Sequence, residues 1–175
     1  MQISLKKYNF FLIFILFFSC NFSTDQEELL FEPEVLEASH KFLAQEEKFR
    51  IERFVTRSNL KFLQTGTGLF FHLTRKGIGS FIEVSDIVFL DFKVKGLDGT
   101  FYYQNPFEQP LELMVGKFDI ASGLHEALAY LQLGSKATLI LPSHLAYGLL
   151  GDREKIPPRM PILWEIHILK VIKKS

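Results

Sequence analysis

The chain has 175 residues, 47% of them apolar, with 20 basic and 20 acidic side chains and a formal net charge of zero. That suits one domain with a sizeable core plus extra segments. A balanced charge without a basic stripe excludes a nucleic-acid binder, and a single cysteine excludes a disulfide framework. The histidines His40, His72, His125, His144 and His167 are scattered without ligand spacing, so no metal site and no cofactor are expected.

Lys6 and Lys7 precede an unbroken apolar run from Phe10 to Phe18. The run is far shorter than the roughly 20 residues a spanning helix needs. It reads as the apolar part of a signal peptide covering residues 1–19. Cys20 follows at the expected cleavage point, as in the lipobox of bacterial lipoproteins, where diacylglycerol is attached to the sulfur. Phe17 and Phe18 are bulkier than the usual lipobox residues. Cleavage removes two of the 20 basic residues and no acidic one, leaving 18 against 20, a net charge of −2. The expected location is the periplasmic side of a bacterial envelope, lipid-anchored in a membrane, with the outer membrane preferred.

Residues 20–33 are polar and acidic, ending at Pro33, and read as the lipidated tether. Residues 34–60 form an N-terminal helical segment, with Val35, Phe42 and Phe49 recurring every seven residues beside Leu36 and Leu43. Three readings stay open. The helix packs on its own domain, pairs residues 34–55 with a second copy in a homodimer, or spaces the domain from the membrane.

From residue 61 to 175 the pattern turns to strands. Leu69 to Thr74 is one strand, and Lys76-Gly77-Ile78-Gly79 is a turn. Asp86 to Lys95 alternates, with Phe92 and Val94 on one face. Asp98-Gly99 signals a hairpin, returning through Thr100 to Tyr103. Leu111 to Val115 is a further strand. Ser122, as N-cap, opens a helix running to Leu133, with Leu124, Leu128 and Leu131 as its apolar stripe and Gly134 as its stop. Strands over 135–141 and 162–172 flank a long connection from Leu141 to Pro158. At about twenty residues it exceeds ordinary loops. Leu145, Tyr147, Leu149, Leu150 and Ile156 in it call for burial. The whole is an α+β domain, an antiparallel sheet on one amphipathic helix.

Several segments are in register with one known pattern. They are Thr67-Gly68-Leu69-Phe70-Phe71, Lys76-Gly77-Ile78-Gly79, Phe92, Asp98-Gly99 and Val115-Gly116. Ile120-Ala121-Ser122-Gly123-Leu124, Ala146-Tyr147-Gly148, Gly151 and Ile156-Pro157-Pro158 continue it. Over residues 65 to 172 the chain thus resembles the FKBP-type peptidyl-prolyl cis-trans isomerases. Pro142 to Gly148 with Gly151-Asp152 and Lys155-Ile156 is most similar to the FKBP-like lipoproteins associated with gliding motility in Bacteroidetes.

The resemblance implies an antiparallel half-barrel wrapped on one helix, and a pocket for proline-containing polypeptides. Its wall would comprise Phe92, Tyr102, Leu111, Ile120, Ala121, Leu124, Tyr147, Ile156 and Trp164. Of these, Tyr147, Phe92 and Trp164 carry the catalysis, and Leu124 lies under the proline ring. The Tyr147 hydroxyl and the Ala121 amide would bond substrate carbonyls. The implied activity needs no nucleophile, metal or general base. Three departures predict a weakened isomerase. Tyr103 stands where the family usually has an acidic residue, and Leu111 and Leu124 stand where it often has aromatic ones. The alternative is a weakly active or inactive FKBP-fold chaperone or assembly subunit of a gliding or secretion apparatus.

Overall fold

The computed structural model describes residues 33–106, 108–117 and 120–174. The expected signal peptide, Cys20 and all but the last residue of the tether lie outside them.

Helix α1 spans Pro33–Arg57, and proline suits its first turn because no intrahelical partner awaits that N–H. The strands are β1 (Leu63–Gln64), β2 (Phe70–Arg75), β3 (Ile87–Gly96), β4 (Phe101–Gln104), β5 (Leu111–Met114), β6 (Lys136–Leu141) and β7 (Ile162–Ile172). A short helix α2 (Ser122–Leu128) precedes β6, and a 3-10 turn (Ser143–Leu145) follows it. The strands form one sheet in the order β1-β2-β6-β7-β3-β4, with β5 on the other half of β3. Every pairing is antiparallel.

Alternation on β3 sends Val88, Leu90 and Val94 into the core at 0%, 0% and 1% exposure. On β7, Ile162, Trp164, Ile166 and Ile168 face the same way. The register then shifts beside Phe89 and Leu90, so Leu169 is passed over and Val171 takes the inward side. A one-residue slip reverses facing, and this irregularity keeps both strands apolar towards one core. Leu124, Ala127 and Leu128 of α2 close that core. The helix approaches closely because Gly123 has no side chain. A Cβ there would lie 2.8 Å from Leu141 Cγ.

The opposite face of β6 and β7 presents Ile140 and Leu163, and Ile51, Phe54 and Val55 of α1 cover them. Burying Ile51 alone contributes about 1.5–3 kcal/mol.

Two expectations need correction. α2 stops at Leu128, well before Gly134, and Ser122 is inside it. The N-cap is Ala121, without a side-chain bond, while the Ser122 hydroxyl lies 3.4 Å from the Leu145 carbonyl. Leu131 remains buried although it is no longer helical, because the chain still runs under the sheet. On α1, the seven-residue stripe does not make the docking face. Val35, Phe42 and Phe49 are 57%, 62% and 55% exposed, and Leu36 and Leu43 are exposed with them. Docking uses the neighbouring face through Glu47, Ile51, Phe54 and Val55.

Candidate functional site

β3 and β7 run side by side, so Val94 opposes Trp164 and Phe92 opposes Ile166. This register brings the Phe92 and Trp164 rings to 5.1 Å between centroids, tilted by 33°. Trp164 is 2% exposed, and its indole N–H has no hydrogen-bond partner. Leu124 enters the same core from α2 at 0% exposure, with Ala121 at 4%. Tyr102 comes from β4 at 6%, and Ile156 from the long loop at 3%. Phe92, Leu111, Ile120 and Tyr147 are half-buried against this cluster. The structure therefore gathers every residue expected in the wall into, or against, one apolar core.

The long loop is built around Asp152. Its Oδ1 accepts the backbone N–H groups of Glu154, Lys155 and Ile156 at 2.9, 2.9 and 2.8 Å. Its Oδ2 accepts the Tyr103 hydroxyl at 2.5 Å. Aspartate side chains that bond the following backbone make such turns, so the Gly151-Asp152 pair is a local signal. Gly151 is required as well, since a Cβ there would meet the Ile156 carbonyl oxygen. Arg153 and Arg159 are left-handed at φ 64° and 55°. Lys155 lies 4.8 Å above the Tyr103 ring, with its Nζ 3.4 Å from the Tyr102 carbonyl. Leu149 and Leu150 depart from expectation. They are 57% and 64% exposed at the loop tip, while Leu145 and Ile156 take the inward positions.

Burial, and then the negative charges of Asp98 and Asp152, push the Tyr102 hydroxyl above its ordinary value. Burial and Asp152 do the same to Tyr147. Both phenols are therefore O–H donors at neutral pH. Burial raises Asp152, but Tyr103 and the three backbone amides outweigh it and hold the carboxyl below its ordinary value.

Asp152 and Asn105 were not expected in the site. Asn105 Oδ1 accepts the Phe92 N–H at 2.7 Å, and its Nδ2 donates to Asp91 Oδ1 at 2.9 Å. That fixes β3 where Phe92 leaves the ladder to β4. The Asn-Pro pair at Asn105-Pro106 was the available signal.

The site is thus an apolar wall with phenol donors and one carboxylate set at its rim. Residues 79–169 match the family model described as FKBP-type peptidyl-prolyl cis-trans isomerase. This chain belongs to that family. It is 31% identical over 109 residues to the FKBP-type 22 kDa peptidyl-prolyl cis-trans isomerase of Escherichia coli strain K12, covering 62% of this chain and 52% of that one. It is 27% identical over 139 residues to the probable isomerase FkpA of Neisseria meningitidis, covering 75% and 49%. The chain spans about half the length of these curated relatives. A crystal structure of a Pseudomonas syringae peptidyl-prolyl isomerase superposes with TM-score 0.65 at 22% identity, covering 76% of this chain and 96% of that one. The latter likeness concerns the FKBP fold.

Proposed function

We propose that this FKBP-family chain is a peptidyl-prolyl cis-trans isomerase of the bacterial envelope, held to a membrane by lipid on Cys20 and assisting the folding of exported proteins. The observation that carries the reading is the Phe92–Trp164 ring pair at 5.1 Å, walled by Leu124 and Ile156, with Tyr147 at its edge. The segment from Pro142 to Gly148, with Asp152 and Lys155-Ile156, supports membership of the gliding-motility-associated lipoproteins.

An X-Pro bond turns over a resonance barrier of about 18–20 kcal/mol, and uncatalysed turnover takes about 10–100 s at 25 °C. The planar amide separates more charge than the twisted one. An apolar wall that strips water therefore favours the twisted form, which lowers the barrier by differential binding. In this reading the Tyr147 O–H holds a substrate carbonyl. Leu111 and Leu124 supply less aromatic surface, a loss of about 0.5–1.5 kcal/mol per contact. Catalysis is expected to be slower than with aromatic side chains at those places.

A protease-coupled prolyl-peptide assay at micromolar protein tests this. The slow cis-to-trans phase is expected to accelerate, and a phase unchanged from the uncatalysed rate rejects the enzyme. Cys20→Ser should move the protein from the membrane to the soluble fraction. Retention with an uncleaved N-terminus rejects the lipid anchor.

One observation favours a second reading, an assembly or chaperone subunit. The exposed Phe42 and Phe49 of α1 offer a surface for a second copy. In that case Tyr147→Phe leaves the cellular phenotype intact. A phenotype lost together with isomerase activity rejects it.

A further inference from the structure

Helix α1 is joined to the site loop by the Glu47 carboxylate. Glu47 is 8% exposed, and its two oxygens accept the Ser143 backbone N–H at 2.5 Å and the Ser143 hydroxyl at 2.6 Å. One turn along the helix, Ile51 is 3% exposed against Ile140 and Leu163. Ser143 in turn holds the peptides on either side of Tyr147. Its carbonyl accepts the Ala146 N–H at 3.0 Å and the Gly148 N–H at 2.7 Å. A hydrogen-bonded path therefore runs from α1, through Glu47 and Ser143, to the backbone flanking Tyr147. Two further bonds tie the loop, His144 Nε2 to the Thr67 carbonyl at 3.0 Å beside Ser143 and the Arg159 N–H to the Gly148 carbonyl at 2.9 Å.

The choice of residue is informative. A carboxylate withdrawn from water costs free energy unless its bonds are made. Covering Ile140 and Leu163 calls only for apolar side chains, which Ile51, Phe54 and Val55 already supply. The carboxylate adds no apolar cover. It adds two directional bonds to Ser143, whose carbonyl accepts the Gly148 N–H and shares the Ala146 N–H with the Pro142 carbonyl at 3.1 Å.

We infer that Glu47 is a positioning residue for the site: by docking on Ser143, α1 sets the orientation of Tyr147. The inference rests on the isomerase reading only for the consequence to catalysis. Glu47 bonds to Ser143, which is not a wall residue, so a segment N-terminal to the domain tunes the pocket through the loop's backbone.

Amide hydrogen exchange and the prolyl-peptide assay, both on the full chain, test it with Glu47→Ala, Glu47→Gln, Ser143→Ala and the exposed control Glu46→Ala. Glu47→Ala is expected to raise exchange at the Ala146 and Gly148 amides by about tenfold or more. Amides of β6 and β7 stay at wild-type rates, and kcat/KM falls by about fivefold or more. Glu47→Gln keeps one acceptor oxygen and recovers part of both effects. Ser143→Ala removes one bond and gives a smaller rise at the same two amides. Glu46→Ala matches wild type. Unchanged exchange at Ala146 and Gly148 in Glu47→Ala overturns the inference, as does a uniform rise through β6 and β7, which would make Glu47 a general stability residue. If wild type is inactive while exchange at those two amides rises, the isomerase reading falls and the positioning of the loop stands.

Discussion

The Tyr103 hydroxyl donates to Asp152 Oδ2 at 2.5 Å, joining β4 to a loop 49 positions further along the chain. Tyr103 stands where the family resemblance calls for an acidic side chain. The carboxylate has not left the neighbourhood. It is carried by the loop, and the phenol reaches it.

This pair makes Asp152 a hinge of both loop shape and charge. Asp152→Ala leaves three backbone amides without their acceptor and the Tyr103 hydroxyl with only its longer bond to Glu154 at 3.3 Å. We expect a loss of about 1.5 kcal/mol, the low end for bonds to a charged group because the carboxylate is half-exposed. Urea unfolding measures it, and prolyl-peptide turnover should fall several-fold as Ile156 loosens.

Stability should respond to pH at both extremes. Asp86 is held below the ordinary carboxylate value of 3.8, although burial opposes it, by the Glu83 N–H, Lys173 and the Lys174 N–H. Asp152 is held below the same value. A depressed carboxyl contributes stability above its unfolded pKa and loses it as pH falls through the folded one, so acid unfolding begins below about pH 4. The Tyr103 phenol is pushed well above 10.0, first by its bond to Asp152 and then by burial. Its contribution is complete below pH 10 and fades as pH climbs beyond it. Melting temperature against pH, with Tyr103→Phe as comparison, should show a shallower alkaline limb in the variant, where the raised phenols of Tyr102 and Tyr147 remain.

Leu124→Ala should cost about 2–5 kcal/mol, since the side chain is fully buried and the surrounding sheet and helix cannot collapse onto the space. A fall of less than about 1 kcal/mol in denaturant midpoint analysis would contradict the packing described.

Tyr147→Phe separates chemistry from folding. Its ring stays half-buried against the core, so stability should move by less than about 0.5 kcal/mol. The loss of one substrate bond should lower kcat/KM by about two- to tenfold.

The exposed stripe of α1 gives a prediction about mass. Phe42 and Phe49 are 62% and 55% exposed on one helical side. Native mass spectrometry of the mature chain should show a dimer, and Phe42→Glu combined with Phe49→Glu should show a monomer.

The strands and the hairpin at Asp98-Gly99 were legible in the sequence because each obeys a local rule of period or turn, whereas the wall residues were named only through the family resemblance. Phe92 and Trp164 each lie on an alternating strand, and the β3–β7 register then fixes their contact. What was not legible depends on distant partners. The seven-residue stripe of α1 is the stronger periodic signal, yet Ile51 and Glu47 dock, because Ile140 and Ser143 are what await them. Leu149 and Leu150 look like core residues by composition, but the Asp152 turn places them at an exposed tip. Gly134 resembles a helix stop, yet α2 ends at Leu128, and at φ 80° it serves the turn into β6.

The order of strands also sets when the site can exist. β3 pairs along its whole length with β7, the final strand, and Phe92 meets Trp164 only through that pairing. Contacts so distant in the chain form slowly, after local turns and helices. A nascent chain emerging from its N-terminus would therefore carry α1, the hairpin and α2 with an open, unwalled sheet until β7 arrives. Loss of the last strand would remove one half of the aromatic pair and uncover the centre of the sheet at once. The Phe92–Trp164 pair forms only once β7 has joined the sheet beside β3.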